Sequence, residues 1–397
     1  MTDFAATKAM FHLPDGMVYL DGNSLGPLPH AVAGRVAQTV TDEWGDMLIT
    51  GWNKAGWMGQ PTALADRVGR LIGAQAGHVV LGDTLSIKVY QALAAAIDLN
   101  PDRRVILSDT GNFPTDLYMS EGLISALDRG HTLRTVDPAD VMDTLDDDVA
   151  VLMLTQVDYR TGRMHDMAAL TRAAQARGII TIWDLAHSAG AIPVDLAACN
   201  ADFAVGCTYK YLNGGPGAPA FIYVAPRHID HINPALSGWL GHAAPFAFDP
   251  TYTPGTGIER MRVGTPPVIQ MAALAAAMDV WDKVDMDDVR TRCLALSEIL
   301  ISEVLAHCPD LCLASPRDGT MRGSQVSFHH PEGYAIMQAL IAQGVIGDFR
   351  APDIIRFGVT PLFLDESDMH RAAGILADIM SNRTWDQPQF KTRAAVT

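Results

Sequence analysis

Seven apolar runs of strand length, most of them separated by helix-like stretches, dominate residues 78 to 225. "HVVLGD" (78–83) leads into the helical "SIKVYQALAAAI", and "RRVILSD" (103–109) into "DLYMSEGLISAL". "HTLRTVD" follows, then "VAVLMLTQV" (149–157), the helical "DMAALTRAAQARG" and "IITIWDLAH" (179–187). "ADFAVGCTYK" (201–210) and "PAFIYVA" (219–225) close the series. A strand that is apolar at nearly every position has no face to give to water, so both faces of its sheet must be covered. Helices between the strands supply that cover and make the strands parallel. The expected fold class is α/β, with a mostly parallel seven-stranded sheet. Only a short Gly/Pro loop joins the last two runs, which suits an antiparallel pair.

The pattern changes after Pro266. One long helical tract (268–307) is followed by the strand-like "RGSQVSFHH", a helix in "GYAIMQALIAQG", the strand-like "IIRFGVTPLF" and a last helix through "DESDMHRAAGILADIMS". This reads as a smaller α+β domain. The closing "NRTWDQPQFKTRAAVT" is polar and is expected to be loose.

The charge balance narrows the partners. With 29 basic residues against 45 acidic and a net charge of −16, the chain lacks the clustered Lys/Arg that phosphate backbones need, so no nucleic acid is expected. No basic run or basic amphipathic helix is present, and the most apolar stretch, "PPVIQMAALAAAMDVW", is broken by Gln270 and Asp279. That stretch is too short to cross a bilayer and reads as a core helix, so no membrane partner is expected. The N-terminus carries no charged-then-apolar signal pattern. Five cysteines, an odd number without a C-x-x-C pair or zinc spacing, point to free thiols in the cytoplasm and to no metal.

The segment richest in chemistry is "WDLAHSAGAIPVDLAACNADFAVGCTYKYLNGGPG" (183–217). Asp184 ends one apolar strand, His187 lies three residues on, and Lys210 ends the next strand before a Gly-rich loop. Taken singly, Asp184 reads as a capping residue and Lys210 as an exposed loop lysine. Together, on two consecutive strand ends, they point to an aldehyde cofactor. A lysine in an apolar setting is costly to desolvate unless it is neutralised, and condensation with an aldehyde does that. A carboxylate held against a pyridine nitrogen keeps that ring charged and electron-accepting, which is the chemistry of pyridoxal phosphate. Phe113 in "SDTGNFPTDLY" offers a flat surface for such a ring. Ser86 and the free N–H groups where "DTLSIKVY" turns into a helix offer a place for a phosphate. No G-x-x-x-x-G-K-[ST] or G-x-G-x-x-G is present.

One motif pulls the other way. "YLDGNSLGPLP" (19–29) contains Gly22-Asn23-Ser24-Leu25-Gly26, which satisfies the G-x-S-x-G of serine hydrolases. A nucleophile elbow needs several strands ahead of it to build its sheet, and only about twenty residues precede this one. Ser24 is therefore not read as a nucleophile.

"YLDGNSLG", "WNKAGW", "FPTD", "DLAHSAG", "YKYLNGGPG", "SGWLGH", "RVGTPP" and "IIRFGVTPLF", in this order, span nearly the whole chain. In them the sequence resembles the kynureninase family of bacterial type, fold-type-I pyridoxal-phosphate enzymes of tryptophan catabolism and NAD biosynthesis. The resemblance implies a transferase-like large domain at 46–265, an N-terminal segment (1–45) folded over the active site, and a linking helix with a small domain at 266–397. It implies Lys210 as the Schiff-base lysine and later the base at Cα, Asp184 as the pyridinium partner and His187 as its neighbour. Phe113 would stack on the ring, with Asp116 at its rim. Leu85, Ser86, Tyr209 and Trp239 match positions at the phosphate end, and Thr155 and Thr265 match further cofactor contacts. Ser24 matches a substrate-contacting residue, and Arg356 looks like the clamp for the substrate α-carboxylate. Tyr209 is a candidate proton donor near the carbonyl, and Trp52, Trp239 and Phe113 would wall an aromatic pocket. Ser86 stands where relatives often carry Thr, Thr265 where animal members have Asn, and Trp52 where they have His. The last two point to kynurenine over 3-hydroxykynurenine.

The implied reaction is hydrolysis of the Cβ–Cγ bond of kynurenine to anthranilate and alanine, in a homodimer with shared active sites. Two readings compete. A cysteine desulfurase-like lyase of the same fold would need a mobile catalytic cysteine, and Cys308 and Cys312 sit in a suitable connection. A catalytically silent binding protein would not need Lys210, Asp184 and Arg356 together.

Overall fold

The computed structural model describes residues 1–393. The seven apolar runs form one sheet of strands β1 (Val79–Leu81), β2 (Val105–Asp109), β3 (Thr132–Val136), β4 (Val149–Thr155), β5 (Ile180–Asp184), β6 (Phe203–Gly206) and β7 (Phe221–Val224). Their order is β1-β7-β6-β5-β4-β2-β3. All neighbours run parallel except β7, which is antiparallel to both β6 and β1. The α/β class, the seven strands and the antiparallel last pair agree with the reading of the sequence. Six strands are buried along nearly their whole length, while the edge strand β3, "TLRTV", alternates between exposed and half-buried positions.

Helices cover both faces. On one, Leu85–Leu99 packs through Val89, Ala92, Leu93 and Ala96, all fully buried, and the alanines let it lie close to the sheet. On the other, Gln60–Leu71, Met167–Gln175 and Val268–Trp281 share one core with the small-domain helices. The tract 268–307 is not one helix. It stops at Trp281 and restarts at Met286, because the Asp285 carboxylate accepts the backbone N–H groups of Asp287 and Asp288 and caps a new N-terminus.

A second sheet of four strands, β8 (Cys312–Leu313), β9 (Gln325–His329), β10 (Asp348–Arg350) and β11 (Ile354–Gly358), has the order β8-β9-β11-β10 and is antiparallel throughout. The helices Met286–His307, Gly333–Ala342 and Glu366–Ser381 pack on it. The N-terminal segment is stitched to this body. Val18–Tyr19 pairs parallel with Val345–Ile346, and Gly358 N donates to Leu20 O at 2.6 Å. "DGNSLG" is thereby carried to the end of β11. The expected loose tail is corrected up to residue 393. Trp385 is buried edge-on against His330, and Pro388–Lys391 forms a helical turn, while residues 394–397 lie outside the described residues.

The chain adds β3 on one side of β2 and then returns to add β4 on the other. That reversal leaves a crevice beyond the carboxyl ends of β2, β4 and β5, where open α/β sheets hold their ligands.

Candidate active site

Asp184 ends β5 and Thr155 ends β4, side by side in parallel register. Both are buried. Asp184 Oδ1 accepts Ala186 N at 2.8 Å, and Thr155 Oγ1 donates to Asn112 Oδ1. Asp116, in the first turn of Pro114–Leu127, is buried close to Asp184. Burial first, and then the Asp184 charge, push Asp116 far above the usual carboxylate range. Burial also raises Asp184, opposed by the Lys210 charge. Asp116 Oδ2 has no partner.

Lys210 Nζ lies 3.1 Å from His187 Nε2, 5.9 Å from the Phe113 ring centroid and 5.7 Å from that of Tyr209. His187 is buried, and burial, then the Lys210 and Arg356 charges, hold its pKa well below the ordinary value. It is therefore neutral. Phe113 is the N-cap residue of its helix, 40% exposed, with its ring edge-on to Tyr159 at 5.2 Å. Burial raises the Tyr209 hydroxyl and keeps it protonated. Gly26 makes this packing possible. Its N donates to Tyr209 O at 2.9 Å, and a Cβ there would lie 2.5 Å from Lys210 O.

A second cluster surrounds Arg356 on β11, 1% exposed. Its Nε donates to Asp348 Oδ1 at 2.7 Å, Nη2 to Asp348 Oδ2 and to Ser24 Oγ at 2.9 Å, and Nη1 to Tyr159 O. Ser24 Oγ in turn donates to Asp348 Oδ2 at 2.7 Å, and Arg350 Nη2 also reaches Asp348 at 2.7 Å. Burial opposes ionisation of Asp348, but Arg356, Arg350 and Ser24 outweigh it and hold its pKa below the ordinary value. Ser24 thus has an acid and two guanidiniums as partners, which is no setting for a nucleophile.

Leu85 and Ser86 open the 15-residue helix Leu85–Leu99, whose N-cap Thr84 makes no side-chain cap, so its first N–H groups face outward. Thr265 lines the same small cleft as Gly82 and Asp83 just before that helix. Two expected residues stand apart. Trp52 packs edge-on against Trp57, and Trp239, 42% exposed, against Phe246. Among the described residues no hydrogen bond or ring contact joins either of them to Lys210.

Three participants escaped the sequence reading. Asp348 lies directly opposite Arg356 in the β10–β11 pair, a register that "GDFRAPDIIRFG" carries if read as a hairpin. Gln325 opens β9 and bonds His187 Nδ1 at 3.0 Å. Lys88, fully buried beneath the helix start, bonds Asp83 Oδ2 at 3.1 Å and Gln91 Oε1 at 2.9 Å.

Comparison with known proteins bears on what this site serves. Residues 289–376 match the family model "Kynureninase C-terminal domain". The chain is 50% identical over 400 residues to kynureninase of Burkholderia pseudomallei (strain 1106a), covering 99% of this chain and 96% of that one. It is 48% identical to kynureninase of Pseudomonas fluorescens over the same shares. Among solved structures, the apo cysteine desulfurase of Thermococcus onnurineus NA1 superimposes with a TM-score of 0.80 at 16% identity, over 95% of this chain and 98% of that one. A cysteine desulfurase of Escherichia coli gives 0.80 at 18%, over 96% and 99%. At such identities the desulfurases share the fold alone, whereas the near-complete match at half identity extends to the sequence itself: this chain belongs to the kynureninase family.

Proposed function

We propose that this chain hydrolyses the Cβ–Cγ bond of L-kynurenine to anthranilate and L-alanine with pyridoxal 5'-phosphate as cofactor, in tryptophan catabolism and NAD biosynthesis. The observation that carries the reading is the 50% identity to a kynureninase over 99% of the chain, together with Lys210 seated beside a buried acid pair. The residues suit the cofactor. Asp116 and Asp184 are two neighbouring buried carboxyls, and one oxygen of Asp116 is left unpaired. Those acceptor oxygens suit a cationic ring N–H donor. Lys210 supplies the amine for covalent attachment, Phe113 an open ring face, and the uncapped helix start at Leu85 and Ser86 the N–H groups for a phosphate.

Bound through Lys210, pyridoxal phosphate supplies an aldehyde for the substrate amine and a ring that accepts the electrons released at Cα. The protein does the rest. Asp184 would face the ring nitrogen and keep it charged, with Asp116 at the rim. Thr155, Thr265 and Tyr209 would add further contacts to the cofactor, and Trp239, which stands apart within this chain, would have to be brought to it. Arg356 and Ser24 take the substrate α-carboxylate, the planar guanidinium orienting it. The freed Lys210 amine removes the Cα proton, and Tyr209, held protonated by burial, gives a proton near the γ-carbonyl as water adds there.

The division into an N-terminal segment (1–45), a large domain (46–265) and a small domain from residue 266 onward suits this site, since Ser24, Lys210 and Arg356 come from one each. The functional unit is a homodimer with shared sites. The exposed Trp44, Leu48 and Ile49 on one turn, and Phe246 and Phe248 on another, support this, because apolar surface of that kind is covered in an assembly. Five free cysteines fit a cytoplasmic location. Trp52 and Thr265 favour kynurenine over its 3-hydroxy form. A desulfurase reading has weaker support: Cys308 is buried with its thiol pushed up to about 11, first by burial and then by the Asp310 charge, and Cys312, though exposed, is held in strand β8.

The test is direct. Purified protein supplemented with pyridoxal phosphate is given kynurenine, and anthranilate fluorescence is followed. A parallel reaction with cysteine is assayed for sulfide. Anthranilate without sulfide is expected, as is borohydride fixation of the cofactor on Lys210. Sulfide without anthranilate overturns the reading.

A further inference from the structure

Gln325 is fully buried at the start of β9 and belongs to the small sheet, yet its amide reaches the lysine pocket of the large one. Its Nε2 donates to Asp158 O at 3.2 Å and to Tyr159 O at 2.9 Å. Backbone carbonyls only accept, so these two bonds fix which end of the amide is nitrogen. The oxygen therefore faces His187 Nδ1 at 3.0 Å. An amide oxygen only accepts as well, so Nδ1 must carry the ring proton. In a neutral imidazole the other nitrogen, Nε2, is then a bare lone pair, and it points at Lys210 Nζ 3.1 Å away.

We propose that Gln325 is a positioning residue for the lysine: it locks His187 in the Nδ1–H tautomer so that Nε2 accepts an N–H of Lys210 and leaves the amine lone pair free. This deepens the role of Lys210 as base at Cα and rests on that reading. The logic is one of proton counting. A neutral amine that gives one N–H to Nε2 keeps its lone pair for the Cα proton. In the other tautomer Nε2–H would donate to the amine and occupy that lone pair, leaving the lysine held but unreactive.

Two features show that the amide is built in. Gly162, at φ +75°, has no Cβ, and one there would lie 2.8 Å from Gln325 Cγ. Tyr159 O is also the acceptor of Arg356 Nη1, so the peptide that anchors the amide also anchors the arginine of the second cluster.

The decisive measurement uses wild-type protein. Nitrogen-15 spectra of the histidine rings, assigned by comparison with His187→Gln, are recorded on the cofactor-free chain from pH 6 to 9. His187 is expected with Nδ1 protonated and Nε2 unprotonated at every pH. An Nε2–H tautomer, or a ring protonated on both nitrogens at pH 7, overturns the proposal. In Gln325→Leu the tautomers mix, and release of the Cα proton from loaded enzyme, followed with Cα-deuterated kynurenine, slows by about a hundredfold with KM changed less than threefold. Gln325→Glu keeps an acceptor toward Nδ1 but adds a charge. It raises the His187 pKa and brings a new acidic limb into the pH profile of that step. Unchanged proton release in both variants overturns the proposal too. Loss of anthranilate formation with the tautomer as expected would count against the kynurenine reading and not against the lock.

Discussion

Replacing Asp348 by Asn keeps the shape of the cluster around Arg356 and removes the acid that holds it together. Asp348 is 1% exposed and accepts from Arg356 through two nitrogens, from Arg350 and from Ser24. An Asn oxygen can keep the 2.7 Å bond from Arg356 Nε, but its NH2 then faces the Nη2 donors of both arginines. A buried guanidinium left without its counter-charge costs about 3–5 kcal/mol.

A neighbouring acid modifies that figure in a pH-dependent way. Burial first, and then the Asp348 charge, raise the Asp21 carboxyl from 3.8 to about 7. A carboxyl that binds its proton more tightly folded than unfolded contributes stability below about pH 4, and this is lost as the pH climbs to about 7. Asn at 348 removes the second of the two causes, so the variant sheds less stability across that window. Asp348 itself is depressed, and its own contribution is fully present above about pH 4, so it adds no slope there. The expected loss is therefore about 3 kcal/mol at pH 5 and about 2 kcal/mol at pH 8. Urea unfolding of the cofactor-free protein, followed by tryptophan fluorescence and circular dichroism at both pH values, reads it. A loss below about 1 kcal/mol at pH 5, or one larger at pH 8 than at pH 5, refutes the reasoning.

Asp184→Asn leaves the ring nitrogen without an anionic partner and should lower kcat for anthranilate release by about a hundredfold or more, with the cofactor still fixed to Lys210 by borohydride. Tyr209→Phe removes a hydroxyl that burial keeps protonated, so carbon–carbon cleavage in single-turnover experiments should slow more than Cα deprotonation; equal rates in both steps would remove its relay role. Gly26→Ala places a Cβ 2.5 Å from Lys210 O and 2.6 Å from Asn213 Cα, so the lysine loop must shift. That variant should keep its circular dichroism and lose about tenfold or more in kcat/KM.

What the sequence made legible follows from geometry that repeats. A parallel sheet sends its carboxyl ends to one edge, so assigning the strands was enough to bring Thr155 and Asp184 together, with Lys210 following β6. What stayed hidden are contacts between bodies that no periodicity encodes. Gln325 meets His187 across 138 residues, and only the folded small sheet sets that distance. Asp348 was within reach, because a hairpin register would have placed it opposite Arg356, but its short strand of three residues gives little alternation to read. The break at Asp285 falls in the charged "DKVDMDD" (282–288), a stop signal outweighed in the sequence by the apolar helical stretches before and after it. The aromatic wall shows the opposite case. Trp52 and Trp239 were assigned by resemblance, yet within one chain each packs on a neighbouring ring of its own segment. Trp239 and Thr265 lie exposed, whereas Asp184, His187 and Arg356, whose partners come from strand ends and registers that the fold fixes, are buried.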